Sequence, residues 1–201
     1  MNYLAIDTSG KSLTVIIKKG DKEFVFHDDK CAFRHSVELM PRVEALAKEA
    51  EFDFKNADFF ACVVGAGSFT GIRIGVATIK AMCFAYNKPC LSVTSFDTIA
   101  YNERGKVMAI IDAKHNGFYA CGYEDKKVTF PPSYLMRDEL ESVIADYKIL
   151  SFEEVSGFDV KVVSVASGLI KAIEQKQSEI TLDLDKLEPL YVRKSQAEEG
   201  R

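Results

Sequence analysis

The sequence predicts an α/β fold of two lobes built on one plan, each a mixed sheet flanked by helices. Three observations predict it. Short apolar runs of strand length alternate with longer stretches of helical periodicity. The first three apolar runs are joined by tight turns and the later ones by helices, which calls for antiparallel and parallel pairing in one sheet. Finally, an apolar strand ending in aspartate, a small polar turn and a second strand occur twice. The first copy is 3–7, Thr8-Ser9-Gly10 and 13–17; the second is 107–112, Ala113-Lys114-His115-Asn116-Gly117 and 118–123.

In chain order, residues 3–7, 13–18 and 23–27 read as strands, separated by Thr8-Ser9-Gly10-Lys11 and Lys19-Gly20-Asp21. Residues 36–51 read as a helix, with Leu39, Val43, Leu46 and Ala50 on one stripe and a second partial row at Val37 and Met40. Pro41 inside it predicts a kink or a late helical start. Residues 59–64 form a buried strand, 72–86 a helix and 89–93 a short strand, after which Ser95 or Asp97 caps a short helix reaching Tyr101. Beyond the second Asp turn, helices are expected at 138–147 and 165–177, with a strand at 160–163 between them. The expected lobes are 1–104 and a smaller 105–190. The tail 191–201 is expected to be poorly ordered in isolation, or to pack back on the first lobe.

Composition narrows the function. The 201 residues are 47% hydrophobic and 28% charged with a formal charge of -4, an ordinary globular balance. That balance argues against free-standing binding to nucleic acid or an anionic membrane, although it leaves room for a local basic patch. No apolar run approaches the roughly 20 residues of a membrane span, and the first residues lack a signal peptide's basic start and apolar core. Five cysteines without a C-x-x-C pair read as reduced thiols of a cytoplasmic protein.

The run Gly65-Ala66-Gly67-Ser68-Phe69-Thr70-Gly71-Ile72-Arg73 lies between an apolar strand and a long helix, a layout that often brings backbone N–H groups to phosphate. It is not a Walker A loop, because no Lys-Ser/Thr pair follows, and it lacks G-x-G-x-x-G spacing. Ser68 does not sit in a G-x-S-x-G elbow, so helix capping is its expected role. The helix that follows carries Ile72, Val76, Ile79, Cys83 and Tyr86 on one stripe and Gly71, Gly75, Thr78 and Met82 on another. A helix so apolar all round needs cover on both sides, from its own sheet and from a partner.

The βββαβα order with a further strand is that of a ribonuclease H-like half, and two such halves with an Asp turn in each resemble the actin-like ATPase superfamily. Within it, residues 65–73 resemble the G-P-G-S-F-T-G-L-R hallmark of the TsaB (YeaZ) family, with Ala66 in place of the usual proline. Leu4-Ala5-Ile6-Asp7-Thr8-Ser9, His35-Ser36 with Leu39 and Pro41, Asp112-Ala113 and Leu190-Tyr191-Val192-Arg193 match in order, so the resemblance spans the chain. It implies a scaffold or regulatory subunit, itself non-catalytic. Its partner would be a TsaD-like catalytic subunit that moves a threonylcarbamoyl group onto adenosine 37 of tRNA. A TsaE-like ATPase joins the pair, tRNA is met only indirectly through the complex, and the chain alone forms a homodimer. No cofactor is expected; ATP or ADP would bind only in the complex with the TsaD- and TsaE-like partners.

In this family the interface is a helical bundle from the first two helices. The expected partner-binding residues are therefore His35, Leu39, Val43, Leu46, Ile72, Arg73, Val76, Ile79 and Cys83, exposed side by side. TsaD-type enzymes carry two metal-binding histidines four residues apart; here Leu39 stands four residues after His35, and no metal site is expected. Asp7, Thr8, Ser9 and Asp112 form a candidate vestigial nucleotide or phosphate loop. In active relatives such acids orient Mg²⁺ and water, but an Asp at a strand end before a Ser/Gly turn more often caps that turn. Two other readings stay open: an independent actin-like ATPase or small-molecule kinase, and, more remotely, a peptidase.

Overall fold

In a computed structural model, which describes residues 1–193, the chain divides into two compact units. The first unit comprises Met1–Val93 and Ile173–Pro189. Its elements are β1 (Tyr3–Asp7), β2 (Leu13–Lys19), β3 (Lys22–Asp28), α1 (His35–Glu49), β4 (Phe59–Val63), α2 (Phe69–Tyr86) and β5 (Cys90–Val93). The sheet order is β3-β2-β1-β4-β5. The tight turns make β1–β2 and β2–β3 antiparallel, and the helical crossovers make β1–β4 and β4–β5 parallel. All of β1 and β4 is buried, as expected for central strands covered on both faces. The free edge of β5 is covered by the returning segment: Thr181 and Cys90 exchange backbone hydrogen bonds of 3.0 and 2.8 Å, and Ser92 Oγ donates to Lys186 O at 3.0 Å.

The second unit begins at Thr94, eleven residues before the expected start at Gly105. The reason is α3 (Ser95–Ala100), which packs on β6, β7 and β9 of the second sheet. Its N-cap is Thr94, in a capping box with Asp97, so neither Ser95 nor Asp97 is the cap residue itself. The remaining elements are β6 (Lys106–Asp112), β7 (Gly117–Glu124), β8 (Lys127–Met136), α4 (Arg137–Val143), β9 (Lys148–Ser151), β10 (Lys161–Val162) and the start of α5 (Val165–Gln175), which runs on into the first unit's returning segment. The order β8-β7-β6-β9-β10, with antiparallel pairs first and parallel pairs after, repeats the first sheet position for position. This is the duplicated ribonuclease H-like plan. Met108, Ile110, Phe118, Ala120 and Leu140 form one core of the second unit.

Residues 191–193 lie with the second unit rather than the first, and the rest of the expected tail lies outside the described residues. α1 starts at His35, six residues before Pro41, so the proline does not delay the helix. Among the described residues, no helix is long and apolar enough to cross a membrane.

Candidate functional site

The glycine-rich run is a packing device. Ser68 caps α2, its Oγ accepting from Gly71 N at 3.2 Å, and Ser68 N donates to Ser9 O at 2.7 Å. Gly71 lies against the turn after β1 so closely that a Cβ there would sit 2.0 Å from Thr8 O. A Cβ on Gly75, one turn on, would sit 2.6 Å from Thr8 Oγ1 and 3.1 Å from Cys62 Sγ. Thr8 Oγ1 donates to Gly71 O at 2.7 Å in the buried contact. The small-residue stripe of α2 thus faces its own sheet, pressing the helix start onto the β1 turn.

That turn is sealed. Asp7, Thr8 and Ser9 are at most 3% exposed. Asp7 Oδ1 accepts both Ser9 N (2.8 Å) and Ser9 Oγ (2.7 Å), an Asx turn. Burial raises the Asp7 carboxyl above the usual carboxylate range, with the Ser9 bonds and the charges of His35 and His27 pulling the other way. In the second copy Asp112 Oδ1 accepts Lys114 N at 2.7 Å and Oδ2 pairs with Lys114 Nζ at 2.6 Å, so it too closes its own turn. His35 is buried, its Nε2 3.0 Å from Ser12 O, which ties the start of α1 to the β1–β2 turn. Among the described residues, no group of three or more His, Cys, Asp or Glu is placed to hold a metal ion. All five cysteines are buried, and burial pushes the Cys83 and Cys121 thiols up to about 12, the opposite of an activated nucleophile.

The expected exposed patch requires correction. Leu39, Val43 and Leu46 of α1 and Ile72, Val76, Ile79 and Cys83 of α2 are all buried within the chain, at most 6% exposed. They are the inner stripes, because α1 covers β2 and β3 while α2 covers β1, β4 and β5. Of the expected set only Arg73 is exposed, its guanidinium 5.8 Å from the Phe69 ring centroid. The outer faces carry other residues. Before and along α1, Phe33, Val37 and Met40 are 102%, 69% and 42% exposed, and on α2 Phe84 is 84% exposed. Ala77 and Ala81 complete the exposed row of α2. The two helices touch, and both start by the turn after β1, so Phe33, Val37 and Met40 stand near that end of the outer faces and Phe84 near the other. The partial row at Val37 and Met40 was the one sequence signal for it.

Comparison with known proteins fits this fold. A family model described as "TsaD: tRNA N6-adenosine threonylcarbamoyltransferase" matches residues 27–158. The tRNA threonylcarbamoyladenosine biosynthesis protein TsaB of Bacillus subtilis (strain 168) is 31% identical over 129 residues, 63% of this chain and 56% of the relative. The protein of the same name from Escherichia coli (strain K12) is 27% identical over 129 residues, 62% of this chain and 55% of the relative. The chain belongs to this family, on its TsaB (YeaZ) branch. It spans a little over half the length of these relatives. YeaZ from Pseudomonas aeruginosa, at 20% identity and TM-score 0.78 over 94% of this chain and 99% of that one, shares the fold. A second structure, described as an uncharacterized protein with similarity to peptidase YEAZ from the same organism, superposes with TM-score 0.82 at 20% identity, covering 96% and 99%. At that identity both speak for the fold alone.

Proposed function

We propose that this chain acts in the biosynthesis of tRNA threonylcarbamoyladenosine as the non-catalytic partner of a TsaD-like transferase. The outer side of α1 and α2 would be its docking face. The observation that supports it is the pairing of two features on one unit. The Asp7 turn, where an active relative would hold metal and phosphate, is shut by its own hydrogen bonds. The neighbouring helices meanwhile leave Phe33, Val37, Met40 and Phe84 uncovered. Large apolar side chains left exposed along two neighbouring helices are costly unless a partner long enough to span both ends covers them. A TsaD-like subunit built on the same ribonuclease H-like plan offers helices for such packing. The same face would serve a homodimer when the chain is alone, and a TsaE-like ATPase would join the pair, with ATP or ADP held only in that larger complex.

The test is reconstitution with a TsaD-like and a TsaE-like protein from the same cell, threonylcarbamoyl adenylate and tRNA. Omitting this chain should abolish modification, and the chain alone should turn over neither ATP nor tRNA. Modification at full rate without it would refute the proposal. ATP hydrolysis by the isolated chain that disappears in Asp7→Ala would instead favour the kinase or ATPase reading.

A further inference from the structure

The second sheet is electrostatically polar from end to end. Four of its five strands, β6, β8, β9 and β10, run in the same direction. Each of the four begins with lysine: Lys106, Lys127, Lys148 and Lys161. Their starts therefore gather at one end of the sheet. By register, Lys106 and Lys127 both stand beside Glu124, while Lys148 pairs with Val107 and so points to the opposite face. The lysines thus flank both faces of the same end.

Several are in excess of the carboxylates they meet. Lys148 Nζ lies 2.9 Å from Glu103 Oε2, and Lys161 Nζ bonds the same oxygen, so two ammonium groups share one carboxylate that they hold down to about 2. Lys106 reaches Asp146 at only 3.6 Å, and that carboxylate's side chain is 83% exposed. Arg104 and Lys126 lie in the turns at this end, and Lys171 stands close enough to Lys126 to lower its pKa further, after burial. At the opposite end, the strands lead into Asp112, Asp138, Glu139, Glu153 and Glu154, with Lys114 and Arg137 among them. Seven of the chain's 26 cationic side chains thus stand at this end, against Glu103, Glu124, Asp125 and Asp146, a local excess in a chain of net charge -4.

We infer that this lysine-bearing end of the second sheet is a contact for the phosphodiester backbone of RNA, so that the chain touches tRNA directly and not only through a partner. Ammonium groups on long, mobile stems at several points of one rim suit a sequence-independent run of phosphates. They give affinity through counterion release without reading bases. The choice of RNA as the polyanion rests on the threonylcarbamoyladenosine reading above.

The experiment titrates the full chain against a fluorescently labelled tRNA transcript, following anisotropy from about 25 to 200 mM salt. Wild type should bind, with affinity falling steeply as salt rises. Replacing all four strand-leading lysines by glutamine should weaken binding at least tenfold at low salt. It should also flatten the slope of log K against log salt by roughly 3, at about 0.7–0.9 for each of the four phosphates no longer neutralised. Lys→Arg at the same positions should keep the slope, and Lys11→Gln with Lys30→Gln in the first unit should change nothing. Wild type without measurable binding at low salt, or a glutamine variant with the wild-type slope, overturns the inference. So does competition by poly-glutamate as effective as that by poly-uridylate, since it would assign the rim to an acidic protein. Capture of a TsaD-like subunit is measured separately on the same variants. Capture retained without lysine-dependent tRNA binding defeats this inference alone, and absence of capture by wild type defeats the functional reading instead.

Discussion

The contact between Gly71 and the β1 turn sets a sharp test of how the hallmark loop works. An alanine Cβ at 71 would lie 2.0 Å from Thr8 O and 3.2 Å from Thr8 C, backbone atoms of a buried turn that cannot swing aside. Relief needs the start of α2 to lift by more than about 1 Å, an overpacking strain of roughly 1–3 kcal/mol. The lift also stretches the 2.7 Å bond from Thr8 Oγ1 to Gly71 O, with about 0.5–1.5 kcal/mol at stake. Alanine's better helix propensity returns up to about 1 kcal/mol, because residue 71 is within the first turn of α2. Strain prevails, and Gly71→Ala should cost about 2–3 kcal/mol, lowering Tm by roughly 4–12 °C for a chain of this size. Gly10→Ala is the matched control: nothing lies within 4 Å of its Cβ, and its change should stay within about 0.5 kcal/mol. Calorimetry of the two variants decides the matter. A Gly71→Ala protein as stable as wild type would mean that the glycine is not there for close packing.

Three further outcomes follow from burial and charge. Val76→Glu places a carboxylate at a site 6% exposed and should cost about 3–5 kcal/mol in urea unfolding, a loss of fold rather than a selective loss of association. For Asp7, burial favours the neutral carboxyl, so the ionised form costs native stability as pH rises through the raised native value. Asp7→Asn keeps an acceptor for Ser9, so its stability relative to wild type should improve as pH rises above the ordinary carboxylate range in pH-dependent melting; a flat difference would contradict this. Tyr123→Phe removes the 2.9 Å hydroxyl bond to Asp97 Oδ1 in the buried capping box and should lower stability by about 1–3 kcal/mol in chemical denaturation.

The fold was legible because its signals are local. Strand-length apolar runs, tight turns and the repeated Asp turn specify strand direction and order without reference to distant contacts. β8 was not legible: Phe130-Pro131-Pro132-Ser133 reads as a break, since proline cannot donate to a ladder. The prolines are tolerated because β8 is an edge strand and they fall within the irregular register between the Gly122–Phe130 and Ala120–Ser133 pairs. β9, four residues long, is too short an apolar run to stand out in the sequence. The candidate site was half legible. Periodicity located the stripes of α1 and α2 but not which one faces the sheet. In α1 the wider stripe of Leu39, Val43 and Leu46 is taken by β2 and β3, leaving the narrow Val37 and Met40 row outside. In α2 the exposed row of Arg73, Ala77, Ala81 and Phe84 is mostly small, so hydrophobicity alone gave it no weight.

The most direct test of the account is the affinity of a purified TsaD-like subunit for the Val37→Glu/Phe84→Glu double variant, measured by titration calorimetry. Both side chains are exposed, at 69% and 84%, so the variant should melt as wild type does. Taking two apolar side chains out of the interface should remove about 3 kcal/mol or more of binding, over 100-fold in Kd. A folded double variant that binds the TsaD-like subunit as tightly as wild type would contradict the claim that this outer face is where the partner docks.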